Sequence, residues 1–458
     1  MLVPLHYALA QVSGRLRPKR RKPDPSEPGR AAGPPVQFEP NGISIVIPSR
    51  NGRDLLAAQL PGVVRESAPF AHEIVVVDNG SDDGTAEWLR YTWPRVLVEV
   101  SPEPLSFSRA VNRGIARAGG THICLLNNDM LLAPGFFGPL GTAFERIPGL
   151  FCATAQIRFP PGLRREETGK AVLTLQDPED FPVRCDEPLP GEDETWVLYG
   201  SGGCSIYDAA KLRELGCLDE AYDPAYVEDL DLGYRAWQRG WPSIYVAGSV
   251  VEHRHRATTS RYYTPQQLDR ILETNYLKFL ARAVASPKLF RRMWTHALRR
   301  LRARAPHDAA ARSALSWAAS IALRGGPLQP SLESEDQFLA LTDGSVAVFP
   351  GGGSTASNRP TLLIARPQVT QAPRPGDTGQ VLVTLTKDLD IPPPEILAVY
   401  AEVVLVRRRT GERRHPNPAF RAAIRQTIRK WGLGRVRLET RQMEEYAPDC
   451  APAKLILT

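Results

Sequence analysis

Thr121-His122-Ile123-Cys124-Leu125-Leu126-Asn127-Asn128-Asp129-Met130-Leu131-Leu132 is the stretch on which the reading of this chain turns. Ile123 to Leu126 is a short apolar run, the mark of a buried strand. It stops at three polar residues, Asn127, Asn128 and Asp129. A second apolar run, Met130 to Leu132, follows before Pro134-Gly135 breaks the chain. In an open parallel sheet, ligands bind beyond the carboxyl ends of the strands, which is where Asp129 falls. One carboxylate with open coordination positions suits a divalent cation shared with substrate phosphates. A polar turn after a core strand is the competing reading, and the stretch alone leaves both open.

The preceding sequence repeats the pattern. Ile43 to Pro48, Glu73 to Val77 and Val96 to Val100 read as strands. Helices are expected at Asp54 to Glu66 (interrupted near Pro61-Gly62), through Trp88 and Leu89, and at Ser108 to Ala118. Strands alternating with helices predict a mainly parallel sheet with helices on both faces. Beyond residue 150 the alternation loosens. A strand at Phe151 to Ile157 precedes a polar insertion over 160 to 195. Gly200-Ser201-Gly202-Gly203 lets backbone approach a ligand closely, or forms a tight turn. Asp208 to Leu215 and the stretch from Tyr226 to Gly240 read as helices. Ser243 to Val251 gives short strands that lead to Glu252-His253-Arg254-His255.

The flanks differ in composition. Residues 1–42 read as a basic, disordered lead-in, and 43–260 as the main α/β domain. Residues 261–325 form a basic helical extension. There Leu277, Leu280, Val284, Leu289 and Met293 recur near helical spacing, either to cover the core or to lie on a membrane surface. Residues 326–360, rich in Gly, Ser and Pro, read as a linker. A second strand–helix alternation over 361–458 includes a helix that Asn417-Pro418 caps. It predicts a small, incomplete Rossmann-like α/β unit.

With 458 residues the chain has room for two or three domains, and 42% hydrophobic with 23% charged residues is ordinary globular composition. The net charge of +7 admits phosphate-bearing ligands or peripheral contact with an anionic membrane. No nucleic-acid partner is expected. None of the six cysteines forms a C-x-x-C pair, which predicts reduced thiols and neither a disulfide framework nor a zinc site. No run of 18 apolar residues is present, and the N-terminus makes a poor signal peptide. The expected location is the cytoplasm, with peripheral contact at the inner face of the membrane as the second reading.

Three acidic places stand out: Asp78 and Asp129, each at the end of a strand, and Glu228-Asp229 at a helix start. Asp78 with Asn79 and Ser81 suits a base and ribose, and Arg50 follows the first strand. A carboxylate at a helix start is also an ordinary cap and dipole partner, which accounts for one of the pair. Residues 43 to 257 resemble a glycosyltransferase of family 2, with the GT-A fold, in its rhamnosyltransferase-like branch. The likeness rests on Ser44 to Asn51, Val76 to Thr85, Leu125 to Asp129 and Glu228 to Leu232, in order, with Phe107 to Ile115 and Gly200 to Ile206. It implies inverting transfer of a sugar from a nucleotide-sugar (dTDP-, UDP- or GDP-linked) to a glycan or lipid-linked acceptor.

The resemblance also implies roles. Pro48, Arg50, Asp78, Asn79, Ser81, Asn112, Asn127 and Asn128 would meet the nucleotide-sugar. Gly202 and Gly203 would face the acceptor, with Asp229 as base and Glu228 beside it. Asn127-Asn128-Asp129 takes the place of the family's aspartate-x-aspartate motif, with Asn127 for its first aspartate. A manganese or magnesium ion would then rest on Asp129 and on His253, with His255 as rival ligand. The alternative is a catalytically silent module that binds nucleotide-sugar or glycan. Residues 361–458 resemble part of the N-terminal domain of a family 4, GT-B glycosyltransferase, without its glycine-rich phosphate loop, and imply no second activity.

Overall fold

The computed structural model describes residues 2–16, 42–160, 167–175, 177–254, 261–326, 331–353, 361–365, 380–408, 417–438 and 441–457. The chain begins with helix α1 (Leu2–Arg15) and then alternates: β1 (Ile43–Ser49), α2 (Arg53–Ser67), β2 (His72–Asn79), α3 (Thr85–Thr92), β3 (Leu97–Ser101), α4 (Phe107–Arg117), β4 (His122–Leu126). It continues through β5 (Met130–Leu132), α5 (Phe137–Arg146), β6 (Cys152–Arg158), the hairpin β7 (Ala171–Leu173) and β8 (Val183–Cys185), β9 (Trp196–Val197), β10 (Cys204–Asp208), α6 (Ala209–Glu214), α7 (Glu228–Gln238) and β11 (Ser243–His253).

β3-β2-β1-β4 are parallel neighbours; β10 then enters antiparallel, followed by β6, β11 and β5, with β9 against β11. The parallel strands are apolar without alternation because both faces of the sheet are covered. Ile45, Ile47, Ile74, Val76, Cys124 and Leu126 pack in one core with Leu56 and Leu60 of α2. Val46, Val75, Val77, Ile123 and Leu125 pack in the other with Ala110, Val111 and Ile115 of α4. The interruption expected at Pro61-Gly62 does not occur: α2 continues through both. Burial of Leu56, Leu60 and Val63 outweighs the one backbone hydrogen bond that Pro61 forgoes.

Three helices follow, α8 (Pro265–Arg282), α9 (Pro287–Arg304) and α10 (Ala309–Arg324). Leu277, Leu280, Val284, Leu289 and Met293 are buried, so the apolar spacing here belongs to the core and not to a membrane-facing surface. Arg300, part of the basic run, is itself buried and forms a two-pronged ion pair with Glu273 of α8. Residues 2–15, read from sequence within a disordered lead-in, are instead a helix on α9 and α10. Val3, Tyr7 and Ala10 face inward. Trp294 Nε1 donates to Ala10 O at 3.1 Å, and a side chain at Gly14 would sit 2.6 Å from that nitrogen. The outer face of α1 exposes Leu5, Leu9, Val12 and Leu16. No helix among the described residues is long and apolar enough to cross a membrane.

The stretch expected as a linker also holds structure. α11 (Glu335–Leu341) packs on α7 and on α13 (Pro418–Trp431). β12 (Val346–Pro350) joins the second sheet with β13 (Thr361–Ala365), β14 (Gln380–Thr386), β15 (Glu402–Arg407), β16 (Arg435–Leu438) and β17 (Lys454–Leu457), while α12 (Pro394–Val399) lies between β14 and β15. Flanking Gly, Ser and Pro concealed the buried run Val346 to Phe349. The order β15-β14-β13-β16-β17 is parallel throughout and is that of a doubly wound unit, with β12 antiparallel at its edge. The phosphate-loop position over 367–379 lies outside the described residues.

The two sheets are joined through residues 193–195. Asp193 N–H donates to Val348 O and Val348 N–H to Thr195 Oγ1, each at 3.0 Å. The buried ammonium of Lys430 stands 2.8 Å from Glu194 and also pairs with Glu402, which accepts from Trp431 Nε1 at 2.9 Å. Lys430→Met would leave two buried carboxylates without their shared cation. It is expected to cost about 3–5 kcal/mol of stability, read as a drop in the urea midpoint; an unchanged midpoint would mean that the contact carries no load.

Candidate active site

β1, β2 and β4 end side by side, with Ser49 opposite Asp78 in the register. Their ends open into a cavity of about 390 Å³. Pro48, Arg50, Asn79, Asn127, Asn128, Asp129, Gly202, Gly203, Glu228, Asp229 and His253 all line it. Asp129 and Asp229, 100 positions apart in sequence, therefore face one space.

Other expected residues stand back from the cavity. Asn112 is spent on structure: its amide bonds both the N–H and the C=O of Leu218, tying α4 to the loop before α7. Ser81 accepts from Asn51 N–H at 2.9 Å, and Asn51 Oδ1 accepts from Asp82 N–H at 2.8 Å, so the loops after β1 and β2 are stitched together. Asp78 is buried and holds its proton more readily than an ordinary carboxyl; burial is the main cause, opposed by hydrogen bonds from Ser81. Its Oδ1 has no partner among the described residues. Asn79 lines the cavity but uses both ends of its amide on the backbone of Leu105. Asn128 donates to Ser49 Oγ at 2.9 Å.

Asn127 packs against Gly203, where an added Cβ would lie 2.4 Å from the Asn127 amide nitrogen. The glycine is required there by that close approach. Gly202 supplies its backbone N–H to Asp229 Oδ2 at 3.3 Å, and Leu230 N–H meets Oδ1 at 2.8 Å. These donors hold the carboxylate at the first turn of α7, where the helix dipole also favours negative charge. Burial nonetheless dominates and pushes the Asp229 pKa up to about 6 from 3.8, with nearby Glu167 adding to the rise. Glu228 is held well above the usual carboxylate range, by burial first and then by Asp229.

On the opposite wall Asp129 Oδ2 stands 3.4 Å from His253 Nε2, and Glu167 Oε2 lies 3.7 Å from His253 Nδ1. Two ligands bound at about 2.1 Å and at right angles to each other lie about 3 Å apart, so Asp129 and His253 fit adjacent positions around one divalent ion. No group of three or more metal-ligating side chains occurs among the described residues. The remaining positions would fall to ligand and water. His255 lies outside the described residues.

Glu167, Tyr262 and Tyr263 are among the lining residues that escaped the sequence reading. Glu167 comes from the polar insertion, with no motif to mark it. Tyr262 and Tyr263 follow β11; the Tyr262 ring lies 4.0 Å under the Arg50 guanidinium. Arg261 donates to Asn51 O at 2.5 Å, which brings this segment back across the cleft mouth.

A family model described as glycosyltransferase-like family 2 matches residues 40–270. The chain belongs to this family. The curled α/β sheet, with β10 inserted antiparallel beside β4, is the GT-A arrangement expected of it. Over 251 residues, 52% of this chain, the sequence is 24% identical to an uncharacterized protein of Sinorhizobium fredii, of which the match spans 27%. It is 27% identical over 212 residues to the N-acetylglucosaminyl-diphospho-decaprenol L-rhamnosyltransferase of Mycobacterium tuberculosis, covering 41% of this chain and 68% of that one. A solved structure of GalNAc-T7 with UDP, GalNAc and Mn2+ overlays at a TM-score of 0.45 and 19% identity, covering 54% of this chain and 49% of that one.

The turn that leads into Glu228 is strained. Tyr226 and Val227, directly before Glu228, have φ of 71° and 80°, and Val227 is β-branched. Left-handed backbone at such a residue persists only where the surroundings impose it. Asn275 of α8 does so, donating to the carbonyls of Tyr222, Ala225 and Tyr226 at 3.2, 2.9 and 3.1 Å. Asn275→Leu, of similar size, is expected to lower stability by about 1–3 kcal/mol and to speed amide exchange at Leu230 and Asp231. Unchanged exchange at those amides would remove Asn275 from the support of the turn.

Proposed function

We propose that this chain is an inverting, metal-dependent glycosyltransferase that moves a sugar from a nucleotide-sugar to a hydroxyl of a glycan or lipid-linked saccharide. The observation that carries the reading is the convergence of Asp129 with His253 on one wall, and Asp229 on the other, of a single cavity. Rhamnose is the sugar that the mycobacterial relative suggests, and that relative's name also points to a lipid-linked acceptor.

The donor's base would sit between Arg50, stacked on Tyr262, and the end of β2. There the unpartnered Asp78 oxygen is an acceptor for a ring N–H. Asp129 and His253 would hold a divalent ion, whose charge offsets that of a departing diphosphate. Asp229 takes the proton of the acceptor hydroxyl as its oxygen attacks the anomeric carbon from the face opposite the leaving group. The bond to the nucleotide diphosphate breaks as the new glycosidic bond forms. Burial separates the two adjacent acids: it holds Glu228 well above the usual carboxylate range, while Asp229 is pushed up only to about 6. Glu228 then donates a hydrogen bond or orients the acceptor, and Asp229 is the base.

Turnover is expected to rise with pH through an apparent pKa near 6, where Asp229 ionises. Stability runs the other way. The folded chain keeps this proton up to about 6 while the unfolded chain releases it near 3.8. The contribution to stability therefore falls as pH climbs through that window and is constant above it. Asp229→Asn should bind a UDP- or dTDP-sugar normally in a thermal-shift assay and lose at least about a thousandfold in transfer, the scale of removing a general base with its positioning. Normal turnover by that variant would exclude Asp229 as the base. Asp129→Ala should abolish the manganese dependence of donor binding, and an unaltered dependence would place the ion elsewhere.

A further inference from the structure

A second and larger cavity, about 540 Å³, lies on the far side of the catalytic turn. Ala221, Asp223 and Pro224 form one wall, and α8 and α10 the others. Four cations line it, Arg270, Lys278, Arg282 and Arg324, against the single carboxylate Asp223. Two of the four are already engaged: Lys278 donates to Ala221 O at 2.9 Å, and Arg282 pairs with Asp219. Arg270 and Arg324 are exposed and have no hydrogen-bond or ion-pair partner among the described residues, so their guanidinium groups are available. The indole of Trp317 is 56% exposed at the same cavity, beside the hydroxyls of Ser313, Ser320 and Thr274.

An aromatic face suits the apolar face of a pyranose ring, and the short hydroxyls suit its OH groups. Guanidinium forks suit a phosphate. We propose that this cavity is a second ligand site that binds a phosphorylated saccharide, with the phosphate at Arg324, beside Arg282 at the end of α8, and the sugar ring on Trp317. Burial, with the neighbouring Arg282 and against Asp223, holds the Lys278 amine below its ordinary value, and an anion in the cavity would favour its charged form. The site shares its wall with the turn that carries Asp229: Pro224 lines both cavities, and Asn275, which holds Tyr222, Ala225 and Tyr226, lines this one. Occupancy therefore bears on the strained turn without entering the transfer site. The inference stands apart from the transferase reading, since it asks only whether a ligand binds here.

The same chemistry is carried by a free sugar phosphate and by the sugar-phosphate head of a lipid-linked saccharide. Calorimetric titration of the full chain with glucose 1-phosphate, glucose and inorganic phosphate, in parallel with a short-chain prenyl-diphosphate sugar, separates the sources. Glucose 1-phosphate should bind at least tenfold more tightly than glucose or phosphate alone. The variant Arg324→Glu, exposed and away from the transfer site, should lose that binding at least tenfold while keeping the thermal shift given by a nucleotide-sugar. Trp317→Ala should bring glucose 1-phosphate down to the level of inorganic phosphate. Tighter binding of the prenyl-linked sugar than of glucose 1-phosphate assigns the site to the lipid-linked form. Binding unaffected by Arg324→Glu, inorganic phosphate binding as well as glucose 1-phosphate, or no binding of any probe each overturns the proposal.

Discussion

The constraint on which the structure depends is the placing of an ionised carboxylate, Asp229, in a buried position. Two backbone N–H groups and the start of α7 make the negative charge tolerable there. Getting a helix to begin at that place requires two successive left-handed residues, neither of them glycine. Such backbone costs on the order of 1–3 kcal/mol per residue, and the turn cannot supply that from its own contacts. It comes from behind. Asn275 holds three carbonyls of the turn; its helix, α8, is held to α9 by the buried Glu273–Arg300 pair; α1 closes over α9 and α10 through Ala10 and Trp294. The helical extension is thus a support for the turn that carries Asp229.

The charge balance of the cleft follows from the same geometry. Asp129, Glu167, Glu228 and Asp229 all line it, and a diphosphate would meet strong repulsion from four carboxylates. Burial pushes Glu228 toward its neutral form. Arg50 contributes a cation, its guanidinium held flat over Tyr262. A divalent ion between Asp129 and His253, as proposed, would offset the remaining excess of negative charge. Glu167 on the other side of the imidazole is suited to fixing which nitrogen faces the ion.

Strands covered on both faces announce themselves as unbroken apolar runs, so β1, β2 and β4 and the acids at their ends were legible before any coordinates. Asp129, Asp229 and His253 were recognised through motif order and do share one cavity. What sequence reasoning missed has physical reasons. Asn112 looks like a ligand-facing amide, yet it satisfies a loop backbone, a role with no sequence mark. Glu167 and Tyr262 reach the cleft only because loops fold back over it, and such approach is non-local. α1 was obscured by the basic run that follows it, since a helix stabilised by packing needs few charges or caps of its own. β12 was hidden because composition averaged over a window dilutes a five-residue strand.

The C-terminal sheet can be argued on the same terms. Its parallel order is that of a nucleotide-binding unit, but its tightest connections point toward the catalytic domain. β12 bonds to Asp193 and Thr195, and Lys430 sits between Glu194 and Glu402. From Thr195 the chain runs through β9 to Tyr199, against which α7 packs closely at Gly233, and on to Gly202, whose amide holds Asp229. Gly202 lies eight positions after Glu194, so a short, mostly buried stretch of chain links the contact with the second sheet to the backbone that meets Asp229. The Gly202 side of Asp229 is thereby anchored from the second sheet, as the Val227 side is anchored from the helical extension. The carboxylate lies where these two supports meet, which accounts for a buried, strained turn persisting in the middle of a 458-residue chain.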